Sequence, residues 1–199
     1  VHPDLEYAKV KAADGNLYIL AVARLDAVLS GLAKEGEEAY SILETCKGKD
    51  LVGLSYEPLY DGAEKEAERQ HKKAHIVVSD YYVSADDGTG IVHIAPAFGE
   101  DDGRIGREND LALVKFVDSE GKLTAETPFF GMRCKPTEKE VAEGAISADP
   151  EVLKDLEKRG LLFDAPKFEH SYPHCWRCGT PLIYYARESW FIKMTAVRD

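Results

Sequence analysis

The chain has 199 residues, of which 44% are hydrophobic and 31% charged, with 25 basic against 36 acidic side chains and a formal net charge of −11. That length supports one sizeable core plus an appendage, given usual domains of about 100–150 residues. The acidic balance excludes a broad nucleic-acid footprint, so any RNA contact is local. No apolar run approaches the roughly 18 residues of a membrane span, so no membrane partner and a cytoplasmic setting are expected.

In chain order, LEYAKVKA and NLYILAVA within residues 5–23 predict a hairpin whose turn is Asp14-Gly15. Residues 24–35 place Leu25, Val28, Leu29 and Leu32 on one helical stripe. KDLVGLSYEPLY reads as a strand ending at Pro58. Residues 61–74 carry almost nothing apolar and read as a solvated excursion, helical or loose. HIVVSDYYVS predicts a strand, ADDGTG a turn, GIVHIAPAF a resumed strand, and Leu113, Val114, Phe116 and Val117 another.

Residues 149–160 predict a helix with Asp149 as cap, Pro150 in the first turn, Leu153 and Leu156 buried, and Gly160 as the stop. Many short strands with few helices predict an α+β chain, mainly β, of barrel or sandwich type with helical insertions. The sequence opens at Val1 and reads as a piece excised from a longer chain. From Phe168 the tail turns aromatic (HSYPHCWRCGTPLIYYARESWFIKM), as a metal-stapled hairpin followed by a strand of a larger body would.

The most informative stretch is DDGTGIVHIAPAFGEDD, residues 86–102. Gly88 and Gly90 bracket Thr89, which permits a tight bend and close backbone approach by a ligand. Strand alternation puts Ile91, His93 and Ala95 on one face and Val92 and Ile94 on the other, until Pro96 stops the pairing. After Gly99, the triplet Glu100-Asp101-Asp102 is expected to open a helix running through Ile105 and Leu111. A helix start favours an ionised carboxylate, the form that holds an ammonium group. His93 and Asp102 together suit a hydrolytic or amine-recognition site; a structural histidine and a plain acidic cap are the bland alternatives.

Of the four cysteines, Cys46 and Cys134 read as buried or incidental thiols, while Cys175 and Cys178 form C-x2-C, half of a tetrahedral zinc set. His170 and His174 are local candidates to complete it, although His174 abuts Cys175. Trp176 and Trp190 are expected to pack the hairpin and the returning strand rather than stack on RNA bases. Arg177, Arg187 and Lys193 are as well explained by a solvated surface as by tRNA phosphate.

GTGIVHIAPAFGEDD resembles the hallmark segment of the editing domain in isoleucyl-tRNA synthetases, and HSYPHCWRCGTPLIYYARESWFI resembles the segment where that inserted domain returns to the Rossmann body. KGKDLVGLSYEPLY is similar to a strand of the same domain. Valyl relatives usually carry lysine where His93 stands, and both valyl and leucyl relatives favour PAHD-like text where this chain has Pro96-Ala97-Phe98-Gly99.

The resemblance implies a β-barrel-like editing domain over residues 1–165 and a Cys-containing return segment over 166–199. It implies that Asp102 anchors the α-ammonium of a misattached amino acid and that His93 lines the same pocket. Gly88, Thr89, Gly90, Ala95, Pro96 and Phe98 would contribute to substrate binding. The implied partners are the 3′ end of tRNA(Ile) carrying valine and the rest of the synthetase in cis. The implied activity is hydrolysis of Val-tRNA(Ile), with valyl-adenylate as a second candidate substrate, without a cofactor, while ATP and Mg serve the parent catalytic domain. Zinc at Cys175 and Cys178 would need a second cysteine pair from outside this chain, so full occupancy is not expected here. The family's threonine-rich pocket strand precedes the point matched by Val1, so the fragment alone is expected to edit weakly. The alternatives are a valyl-type domain clearing threonine and a non-catalytic RNA-binding barrel.

Overall fold

A computed structural model describes residues 1–145, 147–167 and 171–197. The expected hairpin forms from β1 (Glu6–Ala12) and β2 (Leu17–Ala21), antiparallel, with Tyr7 opposite Ala21 and Lys11 opposite Leu17. Gly15 adopts φ 88 in the turn, a left-handed backbone that costs glycine little. Asp14 closes the turn by accepting the Asn16 N–H at 2.9 Å. β3 (Tyr40–Lys47) adds to the free side of β1, giving the order β2-β1-β3. Between Lys9 and Val10 the register shifts from Glu44 to Ile42, leaving Leu43 as the extra residue of a bulge.

β1 is the middle strand and is covered on both sides. Ala8 and Val10 face Leu20 and the helical turn α1 (Leu25–Leu29), whose Leu25 and Leu29 complete one cluster. Tyr7 points the other way and joins Val1, Ala21 and Leu51 in a second cluster. Alternation along a pleated strand produces this split. Full burial of a side chain such as Val10 or Leu29 contributes about 1.5–3 kcal/mol. Beyond Tyr7 the second face opens, and Leu17 and Ile19 lie exposed there beside Lys11 and Lys9.

The rest departs from the expected strands. KDLVGLSYEPLY is not a strand: it begins in the helical turn α2 (Gly48–Leu51) and keeps one bridge, Ser55 with Ile76. HIVVSDYYVS and GIVHIAPAF form no ladder strand and are broken by turns at Tyr81-Tyr82 and Pro96-Ala97, and Val117 contributes only an isolated bridge with Leu123. Their apolar alternation is real, but a ladder also needs a neighbouring strand in register. The described sheet is therefore three-stranded and open.

The solvated excursion is α3 (Gly62–Gln70), capped by His71 at φ 54. α4 (Glu100–Glu108) starts where the acidic triplet predicted; it stops before Leu111, whose N–H closes on Gly106 O at 2.8 Å. After α5 (Glu138–Ala142) comes α6 (Ala148–Lys158). Ser147, not Asp149, caps α6, because its hydroxyl accepts the Asp149 N–H at 3.1 Å. Leu153 is exposed rather than buried; Ala148 is the buried residue of this surface helix. α7 (Met194–Val197) is a single turn. No helix among the described residues is long and apolar enough to cross a membrane.

The chain divides into two compact units. The first holds Val1–Ala95 with Arg104–Ala112; the second holds Pro96–Gly103 and the described residues from Leu113 onward.

Candidate functional site

The hairpin of the first unit builds the bend at Gly88-Thr89-Gly90. Gly88 and Gly90 adopt φ 58 and 74, as the glycine spacing anticipated. Arg24, in the helical turn that follows β2, donates its Nε–H to Gly88 O at 2.9 Å and an Nη1–H to Asp86 O at 3.2 Å. The Ala21 N–H reaches Thr89 O at 3.0 Å. The buried Tyr7 hydroxyl donates to Gly90 O at 2.8 Å, and burial pushes its pKa up. Gly90 lies so close to β2 that a β-carbon there would sit 2.5 Å from Ala21 Cβ. Glycine is required at position 90 by contact as well as by φ.

Beyond the bend, Ile91 and Val92 are both exposed, so the expected alternation of faces does not hold. His93 is exposed and Ala95 half-buried in the first unit. Pro96 and Phe98 belong to the second, where Ala97 is buried. The Ala186 N–H donates to Ala97 O at 2.7 Å, and the Phe98 and Tyr185 rings lie 6.4 Å apart. The tail thus packs on the PAF segment, a contact that chemistry-bearing spacing alone did not reveal.

Asp102 sits in the first turn of α4 and is half-buried. Gly99 lies directly against it. An added β-carbon at 99 would be 3.2 Å from Asp102 Cγ and 3.3 Å from Oδ2. Later in the same helix, Ile105 is fully buried and Arg104 pairs with Asp80 at 2.8 Å. That guanidinium holds the Asp80 carboxyl below its usual range.

The cysteine pair forms a tight knuckle. Cys175 N–H donates to Thr180 O, and Gly179, at φ 68, donates back to Cys175 O, both at 2.9 Å. Cys178 Sγ lies 3.0 Å from Thr180 Oγ1. That contact, with those to the Thr180 backbone and Cys175, lowers the Cys178 thiol pKa. The Cys178 thiol, eased toward thiolate and in contact with the Cys175 side chain, fits half of a zinc set. No group of three or more metal-binding side chains occurs among the described residues, and His174 Nδ1 is 2.8 Å from Tyr172 O. His170 lies outside the described residues. Burial raises the pKa of both Cys46 and Cys134.

The expectation that the tryptophans pack inward is overturned. Trp176 is 85% exposed, with the Arg177 guanidinium 4.6 Å from its ring centroid, and Trp190 is fully exposed.

No family model matches the chain. Individual relatives do, over its full length. It is 42% identical over 199 residues to the isoleucine–tRNA ligase of Bacillus thuringiensis (strain Al Hakam), covering all of this chain and 17% of that protein. It is 44% identical over 195 residues to that of Clostridium novyi (98% and 16%). It is 41% identical over 201 residues to that of Nocardia farcinica (100% and 17%).

The chain belongs to the isoleucine–tRNA ligase family. It spans about one sixth of the length of the relatives it matches. Within this isoleucine–tRNA ligase segment, the motif residues were visible in sequence but their supports were not. Tyr7, Ala21 and Arg24 hold the glycine bend, and Gly99 abuts Asp102. No spacing rule connects Tyr7 to a carbonyl 83 positions away. A glycine directly before an acidic run is the one signal that would have pointed to a cramped carboxylate.

Proposed function

We propose that this chain is the editing segment of an isoleucine–tRNA ligase and that it hydrolyses the ester of valine misattached to tRNA(Ile). The carrying observation is the full-length match to isoleucine–tRNA ligases, combined with GTGIVHIAPAFGEDD at residues 88–102. The proposed organisation is a barrel-like editing body over 1–165 and a return segment over 166–199 leading to the rest of the synthetase.

The need for such a site is energetic. One methylene in an apolar pocket is worth about 1–3 kcal/mol, a limit for which isoleucine against valine is itself the standard example. A second pocket that admits valine and rejects isoleucine supplies the missing discrimination.

In this reading Asp102 holds the α-ammonium of the aminoacyl group through a charge-assisted contact. His93 lines the amino-acid site and orients water. Gly88, Thr89, Gly90, Ala95, Pro96 and Phe98 shape the surroundings. An aminoacyl ester is already activated, so positioning contributes more than a strong base. The parent enzyme's ATP and Mg belong to aminoacylation and not to this step. Cys175 and Cys178 would hold half of a structural zinc site in the full enzyme.

Asp102→Ala in the synthetase carrying this segment should lower Val-tRNA(Ile) deacylation by at least about 100-fold, the scale of losing an orienting contact. Isoleucylation of tRNA(Ile) should stay intact. Deacylation at the wild-type rate would remove Asp102 from the site. Faster clearance of Thr-tRNA(Val) than of Val-tRNA(Ile) would instead favour a valyl-type specificity.

A further inference from the structure

Three consecutive carbonyls of the glycine bend face the hairpin. Gly88 O accepts from Arg24, Thr89 O from the Ala21 N–H and Gly90 O from the Tyr7 hydroxyl, at 2.9, 3.0 and 2.8 Å. The chain contains no cis peptide bond among its described residues. In a planar trans peptide the N–H points opposite to the C=O of the same unit. The amides that share those planes are the N–H groups of Thr89, Gly90 and Ile91. Fixing three carbonyls toward the hairpin therefore turns three successive N–H groups away from it.

The Ile91 N–H is taken up at 3.3 Å by Thr89 Oγ1. Those of Thr89 and Gly90 have no hydrogen-bond partner among the described residues. Gly90 is buried, where a donor without an acceptor is unfavourable. Thr89 beside it is exposed. Adjacent backbone donors around a positive-φ glycine form a concavity suited to an anion or an oxyanion.

We infer that the Thr89 and Gly90 amides are the oxyanion-binding donors of the editing reaction, with Tyr7 and Arg24 as positioning residues that aim them. The inference rests on the editing function proposed above. In the step it describes, a water oxygen bonds to the ester carbonyl carbon and the carbonyl π pair moves onto oxygen, which the two N–H groups receive. The tetrahedral species then expels the 3′ oxygen of the terminal ribose. That oxygen takes up the proton released by the water, so valine and free tRNA are the products and no oxidant or co-reactant enters. Rigid donors of this kind need no reorganisation as charge develops, and loss of one typically costs about 10²–10³-fold in kcat.

The test uses the 199-residue chain and two analogues. Both carry the valine α-ammonium: adenosine 3′-(1-amino-2-methylpropyl)phosphonate has an anionic tetrahedral linkage, and 3′-deoxy-3′-valylaminoadenosine has a neutral, planar one. The phosphonate should bind at least ten-fold more tightly and move the Thr89 and Gly90 amide protons downfield, whereas the planar amide should move them little. Tyr7→Phe should erase most of that preference without weakening the planar analogue, and Arg24→Met should act in the same direction. Equal affinities would overturn the inference. So would phosphonate shifts confined to residues 99–102, an outcome that leaves the editing function standing. Failure of both analogues to bind would overturn the donors and the editing reading of the isolated chain together.

Discussion

At the scale of single residues, the candidate site depends on what is missing as much as on what is present. Gly99 has no side chain, and the Asp102 carboxyl would crowd a β-carbon placed there. Its φ lies outside the left-handed range, so alanine there brings no backbone strain. The contact of 3.2–3.4 Å forces the carboxylate to yield by a few tenths of an ångström. A misplacement of 1 Å can cost about 10²-fold in rate, so a smaller shift should cost roughly 10-fold. If the proposed editing reaction runs at this site, Gly99→Ala should therefore lower kcat/KM for Val-tRNA(Ile) hydrolysis about 10-fold while the melting temperature moves little. An unchanged kcat/KM would show that the carboxylate has room to adjust. A lowered melting temperature with unchanged chemistry would mark Gly99 as a structural residue only.

At the scale of elements, α6 gives the clearest local test. Its first turn is satisfied by Ser147, which lies outside the helix proper. Loss of such a cap costs about 1 kcal/mol, within a range of 0.5–2. Ser147→Ala should lower unfolding stability by that amount, measured in urea. Asp149→Ala should cost less, because Asp149 supplies only a first-turn charge and an exposed pair with Lys135. The reverse order would restore Asp149 as the cap.

The same helix shows which elements were legible. Helices carry their signals locally: Asp-Pro at the start and Gly160 at the stop of α6, and an acidic run opening α4. The β1–β2 hairpin was equally plain, because Asp14-Gly15 sits between two alternating runs. Strands without a tight turn were not. β3 was missed because its own pattern is almost uniformly exposed and its partner lies some 30 residues upstream. HIVVSDYYVS was read as a strand from apolar alternation, yet pairing is non-local and the described residues give it only an isolated bridge at Ile76. The motif residues of the site were visible for the opposite reason: their chemistry is compact in sequence, whereas Tyr7 and Arg24 act across more than sixty positions.

At the scale of the whole molecule, charge sets the response to pH. The formal charge of −11 makes the folded chain repel itself, and mild acidification first relieves that repulsion. A second set of carboxylates works in the opposite direction. Asp80 is held below its usual range by Arg104, Glu140 by the Thr137 cap and then Arg133, and Asp118 by the Lys122 and Glu120 amides. The hydrogen bond from Arg69 brings Glu66 down from 4.5 to about 2.

Each of these groups has a folded pKa below its unfolded one. Each therefore contributes stability above the unfolded value, near 4 for carboxylates, and loses it as pH falls through the folded value. Between pH about 4.5 and about 2 the loss should dominate, and stability should fall steeply after a shallow maximum. Salt separates the two effects. At about 0.5 M ionic strength the long-range repulsion is screened beyond a few ångströms, while hydrogen-bonded pairs at contact are screened much less. The gain on mild acidification should therefore vanish in high salt and the loss below pH about 4 should persist. Urea unfolding midpoints measured across pH 2–7 at both ionic strengths would show this, and Asp80→Asn should flatten the acid limb. A stability that kept rising down to pH 2 would mean that general repulsion outweighs the paired carboxylates.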